Sequence, residues 1–305
     1  MDSLWQQLVN ATGCKPCCGK DTSLDGQEVV KATDHKPYLH EAEPDPDYLD
    51  RDPCEPTNAE VYGIENDELE EREEAEVEGG AVYKGQWKGQ VRHGKGILVR
   101  PDGQRFEGYF EDGRAHGHGV FTAADGNTYD GQWVQDRAHG VGRYNHVDGS
   151  TYHGEWYHDE KCGKGTESWA DGARYEGEFL HGSKHGHGCY RSGTGVLYEG
   201  QFMHDKMHGH GKYTFADGRF FEGGWKAGHM NGQGTMKWTN GSTHEGMYEM
   251  DLKHGEGSFT WPDGRKYVGQ WRNGKQDGFA VTYDSNGTAT RGEWKNGERI
   301  STPES

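Results

Sequence analysis

The chain is ruled at a spacing of 23 residues. Tyr83-x-Gly85-x-Trp87 recurs as Phe106-x-Gly108-x-Phe110, Tyr129-x-Gly131-x-Trp133, Tyr152-x-Gly154-x-Trp156, Tyr175-x-Gly177-x-Phe179, Tyr198-x-Gly200-x-Phe202, Phe221-x-Gly223-x-Trp225 and Tyr267-x-Gly269-x-Trp271, always in step and without an insertion. The pattern weakens to His244-x-Gly246-x-Tyr248 and Thr290-x-Gly292-x-Trp294, which makes ten units with the last lacking its second half. Ten residues after each first ring comes a second mark, His-Gly-x-Gly, at 93, 116, 139, 185, 208 and 254, with Cys162, Asn231 and Asp277 in the His place elsewhere. A third mark is Asp-Gly at 102, 125, 148, 171, 217 and 263, Asn-Gly at 240 and 286, and Thr194-Gly195. A chain with 50 Gly, 30% hydrophobic residues and a mean hydropathy of −1.10 cannot build a large aliphatic core, so the repeat itself must supply the cohesion.

Side-chain alternation gives the physics of one unit. On an extended strand the two rings and the glycine of Tyr-x-Gly-x-Trp share a face, while Lys84, Gln86 and Lys88 take the other. The Gly-x-Gly strand that follows offers a trough without side chains, into which a ring of the neighbouring strand fits. Asp-Gly then favours a tight turn, because its glycine accepts positive φ. The expected fold is all-β: an elongated single-sheet solenoid of antiparallel β-hairpins. Its core is the seam formed by Tyr83, Trp87, Phe106, Phe110, Tyr129, Trp133, Tyr152, Trp156, Tyr175, Phe179, Tyr198, Phe202, Phe221, Trp225, Tyr267 and Trp271.

These three marks, YxGxW, HGxG and DG, resemble the membrane occupation and recognition nexus (MORN) repeat over residues 80 to 299. The resemblance implies a twisted single-sheet scaffold or self-associating rod, in some members near membranes or in cilia and the cytoskeleton. Weakening in the last three units is expected where a repeat array is capped.

The rest of the chain divides by charge. Of 51 Asp+Glu, 22 lie in residues 1–78 beside 6 Lys+Arg, which leaves 29 acids against 27 bases in the remainder. An acidic chain without a basic stripe is not suited to nucleic acid. No run reaches the ~18 apolar residues of a membrane span, and the start lacks the basic n-region and apolar h-region of a signal peptide. The six cysteines form no paired framework, so the expected location is cytoplasmic, in a reducing compartment.

Within MDSLWQQLVNATGCKPCCGK, Leu4, Trp5, Leu8 and Val9 fall on one helical face and Cys14, Cys17 and Cys18 follow. Cysteines beside a short amphipathic helix resemble an S-palmitoylation site, and two or three acyl chains suffice for stable anchoring. The other readings are an inert tail and half a zinc site at Cys14 and Cys17. Asp2 excludes myristoylation, which needs glycine there. Residues 1–19 are thus the candidate anchor, 20–78 an acidic, largely disordered tether with a short helix or an extended run at 65–78, 79–299 the repeat array and 300–305 a tail.

No other motif carries chemistry. Successive repeat histidines should stand ~9 to 10 Å apart, two strand spacings, and cannot share the four-ligand shell of a structural zinc. They read as packing or hydrogen-bonding groups at the hairpin bend. There is no P-loop, nucleophile elbow, zincin or kinase motif set, and DPDYLDRD lacks the glycine and terminal Glu of a calcium loop. No cofactor, metal or catalytic residue is expected. Lys84, Lys88, Arg92, Lys95, Arg100 and Arg105 offer a basic face to anionic lipid, set against a nearly neutral array. The expected function is a non-catalytic scaffold for protein partners at the cytoplasmic face of a membrane, self-associating through open sheet ends. The alternatives are a cytoskeletal or axonemal subunit without membrane contact and, third, an accessory module of a lipid-kinase or other enzyme complex, with no catalytic domain expected after the last repeat.

Overall fold

The computed structural model describes residues 69–301. Twenty-one strands follow one another in the described residues, among which there is no α-helix and one 3-10 turn, Glu78–Gly80. The fold is all-β, an open antiparallel sheet built of hairpins. The described chain divides into two compact units, 69–184 and 185–301. In the first, Glu70–Glu76 pairs with Val82–Lys88 and the meander runs on to Arg174–Leu180. In the second, it runs from strand Ser183–Arg191 to Glu298–Ser301.

The period is now accounted for element by element. A ring strand of seven residues, Val82–Lys88, is followed by a two-residue turn, a nine-residue strand, Val91–Val99, and a five-residue loop to the next ring strand at Arg105. Unequal partners require a bulge. Gly85 pairs with Gly96 and Trp87 with Arg92, so His93-Gly94-Lys95 faces Gln86 alone. Gly94 takes φ +66 there, and a Cβ on it would meet Gln86 Oε1 at 2.3 Å.

This corrects the expected Gly-x-Gly trough. Only the second glycine lies under a ring, since a Cβ on Gly96 would stand 2.3 Å from Tyr83 Oη. The first glycine makes the bulge. The floor beneath the rings comes instead from cross-strand glycine pairs: Gly85, Gly96, Gly108 and Gly119 face one another in succession, as do Gly211, Gly223, Gly234 and Gly246 in the second unit.

Both turns hold positive φ, for different reasons. In the loop, Gly103 at φ +90 donates its N–H to Arg100 O at 3.0 Å, and Asp102 Oδ1 accepts from Gln104 N at 3.0 Å. The short turn after the ring strand was not anticipated. Its two residues both have positive φ, as a type I′ hairpin turn requires: Asp112 and Gly113, His158 and Asp159, Asn273 and Gly274. Its second N–H reaches back to the previous hairpin, Gly113 to Arg92 O at 2.9 Å and Asp159 to Ala138 O at 3.0 Å.

Of the two expectations for 65–78, a short helix or an extended run, the extended one describes Glu70–Glu76, which is a strand. The ladder offered by Val82–Lys88 outweighs helix propensity in a run of like charges. Arg72 places its guanidinium 5.2 Å from the Trp87 ring and donates to Gly89 O at 2.9 Å, covering Trp87, whose Nε1 has no hydrogen-bond partner.

Candidate functional site

The ring face is one continuous interlock within each unit. All sixteen rings named from the sequence are buried. Within a unit, a first ring meets the second ring of its own repeat and that of the next edge-to-face: Tyr83 with Trp87 and Phe110, Tyr129 with Trp133 and Trp156, Tyr267 with Trp271 and Trp294, with centroids 5.0 to 5.3 Å apart. Such pairs contribute roughly 0.5–1.5 kcal/mol each beyond area burial. The polar tips are satisfied in register. Tyr152 Oη donates to Glu155 O at 3.0 Å, and Trp156 Nε1 donates to Gly142 O at 3.2 Å. Burial raises the Tyr83 hydroxyl to about 12, well away from acid–base work near neutrality.

The histidines act on turns. His93 Nδ1 accepts from Asp112 N and His208 Nδ1 from Ala227 N, both at 3.4 Å, so the bulge of one repeat supports the short turn of the next. Among the described residues, no group of three or more His, Cys, Asp or Glu is placed to hold a metal ion. Gln86 was assigned only to the polar face. Its Oε1 accepts from Lys95 N at 2.8 Å and closes the bulge, as Gln132 does for Val141 N and Gln201 for His210 N. Its recurrence in YxGQW was the available signal.

Three places on the ring face depart from the repeat. Arg92, expected to be solvent-facing and basic, lies on this face, 5.9 Å from the Tyr83 ring, and donates to Gly113 O at 2.7 Å. Lys84 meets Glu73 at 3.6 Å and Arg105 pairs with Glu107, so the supposed lipid-facing bases of the first repeat are largely engaged. Glu167 stands where neighbouring repeats place Tyr144 and Phe121. Burial would raise its carboxyl, but Lys161 at 2.6 Å and Lys184 at 3.2 Å hold it below the usual range. His244 replaces a first ring: it is fully buried, exchanges a hydrogen bond with Tyr248 Oη at 2.9 Å and leaves Nε2 without a partner. Burial and the nearby Lys253 push its pKa down to about 3, and burial pushes Lys253 down to about 8 beneath Trp238, Phe259 and Trp271.

The opposite face is polar and open. Glu199, Glu222, His187, His210, Gln201 and Lys212 line a shallow hollow of about 360 Å³ in the second unit. The candidate anchor residues Leu4, Trp5, Leu8, Val9, Cys14, Cys17 and Cys18 lie outside the described residues. Among the described residues no helix is long and apolar enough to cross a membrane.

Known structures resemble the chain only loosely. The wild-type TCP10 domain of Danio rerio CPAP matches at 14% identity and TM-score 0.37, over 68% of this chain and 99% of that one. The Drosophila melanogaster SAS-4 TCP domain, solved with a proline-rich motif of Ana2, matches at 10% identity and TM-score 0.33, over 58% and 90%. A search of curated proteins finds no match. The MORN repeat profile, by contrast, matches nine consecutive segments, 83–105, 106–128, 129–151, 152–174, 175–196, 198–218, 221–243, 244–264 and 267–289. With ring, bulge and turn marks all in the register that these segments define, the chain belongs to the MORN repeat family.

Proposed function

We propose that the protein is a non-catalytic, repeat-based scaffold that holds protein partners at the cytoplasmic face of a membrane, anchored by acylation of Cys14, Cys17 and Cys18. The observation that carries the scaffold reading is the way the fold uses its side chains. The buried rings, the glycines beneath them, the bulge histidines such as His93 and His208, and Gln86-type residues are committed to the hairpins, while the outer face repeats every 23 residues with side chains free to vary. A surface of that kind supports partner recognition without chemistry. MORN repeats are generally protein-interaction modules, and the raised Tyr83 and depressed His244 are groups made inert by packing rather than poised for proton transfer.

The anchor is carried by the residues alone: Leu4, Trp5, Leu8 and Val9 at helical spacing, then three cysteines. The test is membrane fractionation of the full chain beside the variant Cys14→Ser, Cys17→Ser, Cys18→Ser. Pelleting of the wild type and release of the variant supports the anchored scaffold. If both stay soluble, or both remain in a detergent-resistant cytoskeletal pellet, the anchor is discarded. ATP turnover by the purified protein would overturn the non-catalytic assignment.

A further inference from the structure

We propose that Lys253 is a reactive amine and a site of covalent modification, taking a short acyl group from small acyl thioesters. This goes beyond the scaffold reading and does not depend on the N-terminal anchor. The repeat supplies its own comparison. At the spacing of 23, the place of Lys253 on the ring face is held in the first unit by Lys161 and Lys184, and the place of Phe259 by Glu167. Lys161 and Lys184 are buried and share the Glu167 carboxylate, at 2.6 and 3.2 Å. Lys253 meets a ring where they meet an acid.

Three rings surround the amine. Lys253 Nζ stands 4.7 Å from the centroid of Trp271, 4.8 Å from that of Phe259 and 5.2 Å from that of Trp238, and among the described residues no carboxylate pairs with it. The titratable groups beside it on the ring face are His244 and Tyr248 on strand Thr243–Glu249 and Tyr267 on strand Lys266–Arg272. Burial, with Lys253 itself, holds His244 down at about 3, and burial raises both hydroxyls, so none of the three supplies a negative charge near neutrality. The next cation, Arg265, stacks on Trp261 and pairs with Asp263 at 2.7 Å.

Rings attract an ammonium, but taking a lysine out of water without a counter-charge favours the neutral amine. Burial brings Lys253 down to about 8, so a sizeable fraction of its amine is unprotonated near neutrality. The neutral amine is the nucleophile, and the half-buried side chain leaves it within reach of a small reagent. Its lone pair attacks the thioester carbonyl carbon. The N–C bond forms, the C–S bond breaks, and the leaving thiolate takes up the proton that the nitrogen loses, so the products are an amide and a free thiol. The amide carries no charge, and the caged end of Lys253 then needs no counterpart of the carboxylate that Lys161 and Lys184 share.

Peptide mass mapping of the purified full chain, sampled during exposure to the acetyl thioester of N-acetylcysteamine, tests this. At about pH 7.5 Lys253 should be acetylated about 10-fold faster, or more, than the exposed Lys226 and Lys275, with the ion-paired Lys161 and Lys184 slowest. Its rate should level off above about pH 8, while an ordinary lysine gains rate toward ~10.4. Phe259→Glu gives Lys253 the acid that Glu167 provides in the first unit, and should slow its acetylation by about 10-fold with the circular dichroism unchanged. If that variant does not fold, the rate profile of the wild type decides alone. A Lys253 no faster than Lys226 overturns the proposal. So does a rate that still climbs beyond pH 9, or a folded Phe259→Glu of undiminished reactivity. Borohydride trapping of an aldehyde on Lys253 without any acetyl product also overturns it, since the amine then belongs to carbonyl chemistry.

Discussion

At the residue scale, stability rests on contacts that admit one atom more or less badly. Gly165 lies under the Tyr152 ring, where a Cβ would stand 2.5 Å from the hydroxyl. Gly165→Ala should therefore destabilise the first unit by about 1–3 kcal/mol, as overpacking does, seen as a lower urea midpoint of tryptophan fluorescence. Tyr152→Phe should cost about 1 kcal/mol, since it removes the bond to Glu155 O. His244 gives a pH dependence of definite sign. Its folded pKa lies far below the ordinary 6.5, near 3, so between those values the unfolded chain binds more protons. The contribution of His244 to the stability of the second unit is full above about pH 6.5 and falls as pH drops toward 3. His244→Tyr should flatten that acid limb, measured as hydrogen exchange of Thr243–Glu249 at pH 7 and pH 4.5. An equally steep loss in the variant would assign it to other groups. The rings and glycines at this scale were legible in the sequence because a period of two on a strand sorts them onto one face. The partners of Gln86 and the burial of Glu167 were not, because each depends on which strand lies alongside.

At the element scale, the hairpin is set by two turns of opposite design and one bulge. Ala227 occupies the short turn at φ +50, a conformation that disfavours a β-carbon by roughly 1–2 kcal/mol. Ala227→Gly should raise the thermal midpoint of the second unit, and an unchanged or lower midpoint would show that the turn is not strained. The ionic cluster Lys161, Glu167 and Lys184 of the first unit sits in the midst of rings. Glu167→Gln removes the carboxylate that both buried amines contact and should cost about 3 kcal/mol or more. Replacing the set by the residues other repeats use, Lys161→Ala, Glu167→Tyr and Lys184→Met, should recover most of that loss. The sequence showed the Asp-Gly loops because their glycines recur. It hid the type I′ turns, since His158, His204 and Ala227 are poor signals for positive φ and accept it only because the paired strands and the hydrogen bond to the previous hairpin impose it.

At the scale of the whole molecule, each hairpin contacts chiefly its sequence neighbours, so the array is divisible at its own period. Deleting residues 129–151 as one unit should leave a cooperatively folded protein, because the ring of Phe106 would meet Trp156 as it meets Trp133. Deleting a comparable stretch that is not a whole period should unfold the first unit, since it moves rings to the polar face. Circular dichroism and thermal melts of the two deletions separate these outcomes. What the sequence by itself determined is the repeat: its length, its all-β hairpin, its buried rings and its family, because each follows from local alternation and a constant spacing. Tertiary structure decided what lies between repeats. It made Glu70–Glu76 a covering strand, split His-Gly-x-Gly into a bulge and a floor, half-buried Arg92 against a ring, and buried Glu167 and His244. The physical reason is that pairing register, not spacing along the chain, chooses which side chains share a face and which partner each polar atom finds.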